Sequence, residues 1–147
     1  MHLFFALGRI LLVAIFIFSG GTKLLDIAAT AQEITRKVPT QWLADFAGPI
    51  VDATGMPLAN LLAILTGVVE LVCGVLIAFN VGTRGAALVL VLFTIASTYY
   101  FHDFWTMTGG EATNNMMHAL KNVAIIGGLL VLFALGSWRP AVRSRID

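Results

Sequence analysis

"LANLLAILTGVVELVCGVLIAF", residues 58 to 79, is a largely apolar run with one charged residue, Glu70. At 1.5 Å per residue a helix over this run is about 33 Å long, enough to cross the hydrocarbon core of a bilayer. Working outward, three more runs have the same character. "LFFALGRILLVAIFIFSGG" (3 to 21) is interrupted by Arg9, "TRGAALVLVLFTIASTYYF" (83 to 101) is uninterrupted in its middle, and "HALKNVAIIGGLLVLFALGSW" (118 to 138) has a polar first turn and a half. The 147 residues are 59% hydrophobic and 12% charged, and the mean hydropathy of +0.90 lies outside the soluble range. The chain reads as one all-α domain, an integral membrane four-helix bundle whose first loop contains an interfacial helix.

The links differ. Residues 80 to 82 make a tight turn, 102 to 117 read as a polar loop, and 22 to 57 form the long connection. In that connection Leu24, Ile27, Ala31, Ile34 and Val38 keep a helical period before Pro39, and Trp42, Leu43, Phe46 and Ile50 follow. The expectation is one or two amphipathic segments at the membrane interface, with Trp42 at headgroup depth and breaks at Pro39, Pro49, Gly55 and Pro57. The first run lacks a basic leader and carries Arg9 where a signal peptide is apolar, so it reads as a retained span. Phe4, Phe5, Phe16 and Phe18 are expected in core or lipid, and Tyr99, Tyr100, Trp105 and Trp138 at the interfaces.

Orientation follows from Lys and Arg beside the spans. Arg139, Arg143 and Arg145 cluster in the tail, and Arg84 sits in the short turn on the same side, which places both termini in the cytoplasm. Net charge is only +1, and no basic block is long enough to follow a phosphate backbone, which excludes nucleic acid as a partner.

This topology gathers polar residues at the outer end of the bundle: Ser19 and Lys23, then His102, Asp103 and Trp105, then His118, Lys121 and Asn122. The last three share one helical face. For His102, Asp103, Glu111, Asn114 and Asn115 the bland alternative is simple solvation in an extramembrane loop. Arg9, about 9 Å into its helix, and Glu70 are expected at a common depth and therefore as an ion pair, since a lone charge at mid-membrane is costly. That pair either fixes helix registry or makes Glu70 part of a proton path or polar cavity. Thr66, Gly67, Glu70 and Gly74 recur at helical spacing and mark a closely packed face. Cys73 stands alone, so disulfide redox chemistry and covalent haem are both excluded, and it reads as a packing residue. A metal site from His102, Asp103, Glu111 and His118 is conceivable, but two of these are adjacent and none is spaced as HxxH or HxxxH, so none is assigned.

"GRILLVAIFIFSGGTKLLD" (8 to 26), "GVVELVCGVLIAFNVGTRGAALVLVLFTIAST" (67 to 98), "FHDFW" (101 to 105) and "HALKNVAIIGGLL" (118 to 130) together resemble the DoxX family of small four-helix bacterial membrane proteins. The resemblance spans nearly the whole chain apart from about residues 38 to 57. It implies an inner-membrane bundle related to a thiosulfate:quinone oxidoreductase subunit, in a family with a member associated with redox and thiol-stress assemblies. The family pattern falls on Arg9, Ser19, Gly20, Lys23, Glu70, Gly74, Arg84, His102, Trp105, His118, Lys121 and Asn122. From these, His102, His118, Lys121 and Glu70 are the candidate catalytic residues, and Ser19, Lys23, Trp105 and Asn122 the candidate quinone-binding ones. Imidazole and ammonium can hydrogen-bond carbonyl oxygens, tryptophan can stack on a ring, and His102 or Glu70 can relay protons. The N-terminus of the last helix would favour an anion. Three functions stay open: a quinone-interacting oxidoreductase subunit, a non-catalytic accessory or anchoring subunit, and a small-solute or proton conduit. Other protein subunits or further copies of the chain are expected as partners, beside the lipid bilayer.

Overall fold

A computed structural model describes residues 2–136. Trp138 and the basic cluster Arg139, Arg143 and Arg145 lie outside the described residues. The four expected spans are α1 (His2–Leu25), α4 (Leu58–Ala78), α5 (Thr83–Phe101) and α6 (Gly109–Leu135), and the long connection folds as α2 (Ile27–Lys37) and α3 (Gln41–Thr54). All four spans are long and apolar enough to cross a membrane. Helix is the expected state where the backbone must satisfy its own polar groups in lipid.

The central helix α4 has two faces. Ala63, Gly67, Glu70, Gly74 and Ile77 are buried, while Leu65, Val68, Val72, Val75 and Phe79 are exposed, as lipid-facing side chains are. The buried face owes its closeness to small residues. A Cβ on Gly20 of α1 would stand 2.6 Å from the Gly67 carbonyl oxygen, and one on Gly74 would stand 2.8 Å from Ile17 Cγ1. Only glycine lets α1 and α4 approach this far, so van der Waals contact replaces the hydrophobic force that lipid does not supply.

Val13 and Phe16 of α1, Ile77 of α4, Leu90 of α5 and Leu129 of α6 meet in one buried core. Phe4 and Phe18 point outward and Phe5 packs against the edge of this core. The turn between α4 and α5 is set by backbone: Asn80 and Gly82 both have positive φ, 61° and 57°, and Thr83 Oγ1 donates to Asn80 Oδ1 at 3.2 Å.

Three boundaries differ from expectation. First, α1 continues to Leu25, and Asp26 then ends it and caps α2 by accepting from the Ala29 amide at 3.0 Å. Second, α6 begins at Gly109, so the expected polar loop is mostly helix. Glu111 sits in its first turn, where the helix dipole favours a carboxylate, and a helix can carry polar residues beyond the membrane without ending. Its described end is Leu135, with Gly136 following at φ 66°. Third, the first amphipathic segment of the long connection, α2, is tied to the bundle. Ala31 and Ile34 are buried against Ala63, with Leu62, Ala59 and Phe101 around them, so α2 packs beside the first half of α4. The surface helix is α3, which has no buried residue and exposes Trp42, Phe46 and Ile50 on one side. Pro49 lies inside α3 without ending it; on an exposed helix the carbonyl freed by proline can be solvated.

Candidate functional site: a buried ion pair beneath an apolar cavity

Ser19 and Lys23 are one helical turn apart on α1 and share a face. That face meets α4 at Glu70, whose side chain is 5% exposed. Ser19 Oγ donates to Glu70 Oε1 at 3.1 Å, and Lys23 Nζ pairs with Glu70 Oε2. The ammonium also lies 5.0 Å from the centre of the Phe93 ring of α5, within cation–π range. Three helices therefore converge on one carboxylate and one ammonium.

The expected partner of Glu70, Arg9, is elsewhere. Helices α1 and α4 run antiparallel with Gly20 against Gly67 and Ile17 against Gly74, which sets Glu70 across from Ser19 to Lys23. Arg9 lies about 15 Å further along α1 at 1.5 Å per residue. Its guanidinium donates to the Ala78 carbonyl at the end of α4, at 3.1 Å, and sits 5.8 Å from the centre of the Phe5 ring. The C-terminal carbonyls of α4 carry partial negative charge, so they replace the carboxylate. Arg9 Nε is buried without a hydrogen-bond partner among the described residues. Depth counted from the helix ends misplaced this pair because those ends are not level: Arg9 stands beside Ala78, the last residue of α4, so the first turns of α1 extend beyond it.

Above Lys23 and Phe93 opens a cavity of about 400 Å³, walled by Ile34 of α2, Leu62 and Thr66 of α4, and Tyr100 and Phe101 of α5, with Leu43 of α3 at its edge. Its lining is largely apolar, and Lys23 and Glu33 are its charged side chains. The cavity exists because α2 folds back onto α4 and roofs the space between α4 and α5.

The expected outer cluster is divided. His102 and His118 stack with ring centres 5.2 Å apart and planes 9° from parallel, and His102 Nδ1 lies 3.3 Å from Asn115 Oδ1. Asn122 turns toward α5, donating to Thr98 Oγ1 at 2.9 Å. Trp105, in a single 3-10 turn at Phe104–Thr106, is exposed beside Tyr99 at 5.8 Å. Lys121 is exposed on α6. His102, Trp105, His118, Lys121 and Asn122 are not among the residues around the cavity, so the candidates form two places, an inner one with Ser19, Lys23 and Glu70 and an outer one with the histidines. Sequence reading did not find Phe93, the aromatic walls, or the bridge from Lys37 Nζ to Asp103 Oδ1 at 2.9 Å that ties α2 to the end of α5. The antiparallel register of the glycines was the available signal for the inner group. Nothing in local sequence announced α2 as a roof. Among the described residues no three His, Cys, Asp or Glu side chains gather as a metal site.

Four spanning helices around an intramembrane ion pair define a multi-pass membrane protein with a polar centre. The DoxX family profile matches residues 4–103, well over half of the chain, and the protein belongs to the DoxX family. It is also 29% identical over 130 residues to the inner membrane protein YphA of Escherichia coli strain K12, covering 88% of this chain and 81% of that protein. No solved structure matches. The profile includes Ser19, Lys23, Glu70 and His102 and stops before Trp105, His118, Lys121 and Asn122.

Proposed function

We propose that the protein is an inner-membrane subunit of an oxidoreductase that holds a quinone in the cavity above Lys23, with electrons supplied by a partner protein. The observation that carries this reading is the ion-paired Lys23, with Ser19 and Glu70 behind it and Phe93 beside it, at the base of an apolar, aromatic-walled space. A lysine ammonium has three donors, so Lys23 can keep its bond to Glu70 and still offer a proton to a carbonyl oxygen. Because Glu70 already balances its charge, the site favours a neutral head over an anion. Tyr100, Phe101 and Phe93 offer rings for contact with a flat apolar ring. A bound quinone supplies the two-electron, two-proton chemistry, and Glu70 is the group placed to hold a proton next to Lys23. The site thus moves inward from the histidines, which are left as an outer stacked pair.

Both termini are assigned to the cytoplasm. Arg9 and Arg84 reach the ends of α4 and α6 on one side, and the sequence there continues with Arg139, Arg143 and Arg145. Counted over the sequence, these five arginines face Lys23, Arg36, Lys37 and Lys121 at the other end, and the short, dense tail cluster carries the bias of the positive-inside kind. The inner-membrane assignment also draws on the name of YphA.

One preparation tests the site. The protein is purified in native lipid particles and extracted quinone is quantified for the parent, for Ser97→Leu, which fills the cavity without touching the ion pair, and for the double variant His102→Ala, His118→Ala. Quinone is expected with the parent and the histidine variant and lost from Ser97→Leu. A parent without quinone, or loss from the histidine variant alone, would overturn the reading. An accessory role is the second reading, favoured by α3, whose exposed Trp42, Phe46 and Ile50 offer an apolar face at the outer end; a stoichiometric partner retained without quinone would select it.

A further inference from the structure

Between α2 and the end of α5 lies a second space, an open vestibule of about 650 Å³. Tyr100 stands in the wall of both this vestibule and the cavity, but the vestibule has a different chemistry. Its lining brings together Tyr99, Trp105, Arg36 and Glu111. The rings of Tyr99 and Trp105 are 5.8 Å apart and inclined by 37°, so they form an open aromatic corner. Trp105 is braced by the Phe104 edge at 5.2 Å, and its turn is tied down through Asp103, which accepts from Lys37 at 2.9 Å and from Thr106 at 2.8 Å.

Those bonds occupy Asp103. Glu111, exposed on the first turn of α6, has no ion-pair partner among the described residues and is the carboxylate left to meet a cation. Arg36 pairs with Glu33, with both side chains more than half exposed, and an exposed pair of this kind is exchanged at little cost. The vestibule therefore presents a guanidinium suited to a phosphate together with a carboxylate and two π faces suited to an ammonium. Tyr99 also ends a stripe of exposed apolar side chains on α5, Leu88, Leu92 and Ile95, spaced along one helical face. A molecule whose acyl chain lies on that stripe brings its headgroup to this vestibule.

We propose that the vestibule is a headgroup site for a zwitterionic glycerophospholipid, with the phosphate at Arg36, the ammonium at Glu111 and the Tyr99–Trp105 corner, and an acyl chain along Leu88, Leu92 and Ile95. The apolar stripe selects the lipid over a water-soluble phosphoamine of the same chemistry. This site is independent of the quinone reading.

Native mass spectrometry of the full chain in mild detergent tests it, by titration with phosphatidylethanolamine and with phosphatidylglycerol of identical acyl chains. The first phosphatidylethanolamine is expected to bind about tenfold tighter than phosphatidylglycerol. Trp105→Leu, Glu111→Gln and Arg36→Gln should each weaken it by about fivefold or more, and Asp52→Asn, on exposed α3, should not. Chain-free glycerophosphoethanolamine should bind at least about a hundredfold more weakly. Equal or tighter binding of phosphatidylglycerol, parent-like binding by the three variants, or equal affinity for the chain-free headgroup would each overturn the proposal. The three residues sit on three separate elements, so loss of fold in one variant leaves two to read.

Discussion

Removing Lys23 alone should cost the bundle more than removing both members of its ion pair. In Lys23→Met, Glu70 stays 5% exposed with only the Ser19 hydroxyl as a neighbour donor. A buried charge stripped of its partner costs about 3–5 kcal/mol. In Glu70→Leu the orphan is Lys23, whose side chain is 26% exposed and whose flexible stem can carry the ammonium toward the outer end. That loss should be smaller, about 1–3 kcal/mol. In the double variant no charge remains and two apolar side chains of similar size fill the space, so stability should return to within about 1 kcal/mol of the parent. The coupling energy is therefore expected to be large and of a sign that makes the double variant more stable than the sum of the singles. Reversible unfolding in bicelles, followed for the parent, both singles and the double, gives all four corners. Additive losses would refute the pair as a coupled unit. A Glu70→Leu more damaging than Lys23→Met would refute the assignment of Glu70 as the more deeply buried charge.

Other outcomes follow from the same packing. Gly20→Ala should destabilise by about 1–3 kcal/mol, because its Cβ would face backbone atoms at 2.6 and 2.7 Å, whereas Gly21→Ala, which meets open space, should change the melting temperature little. Arg9→Met removes one bond to a carbonyl and a cation–π contact and leaves Glu70 paired, so its cost should stay below that of Lys23→Met in the same unfolding measurement. Asp103→Asn weakens the Lys37 bridge between two side chains each 24% exposed; a small fall in melting temperature that shrinks with added salt is expected in a melt series.

The spans were legible because hydrocarbon imposes one strong rule on sequence, long apolar runs, and the inner face of α4 was legible because Gly67, Glu70 and Gly74 repeat at helical spacing. The partner of Glu70 was not, since pairing depends on the relative slide of two helices. The slide of α1 on α4 is set by where glycines let backbones touch, not by distances from nominal helix ends. The start of α6 was missed for a different reason: Glu111, Thr113, Asn114 and Asn115 look the same in a loop as on a helix that has left the membrane. In sequence Ser19 and Lys23 read as members of one outer group with His102 and His118, and Glu70 as the separate partner of Arg9. Only the path of α2, folded back over α4 through Ala31 and Ile34, separates the inner from the outer residues. That path is a tertiary preference with no local signature beyond the Asp26 cap.

The fold-back of α2 also makes the molecule unequal at its two ends. The half containing Ala63 and Phe101 holds α2 in addition to the spanning helices, while among the described residues the half around Ile77 and Leu132 has the spans alone. The end that carries α2 has the broader cross-section, so the described residues have the outline of a wedge. The cavity lies in the broad half, against the added helix. Because α2 supplies Ile34 to the cavity wall, any shift of that helix changes the volume available above Lys23.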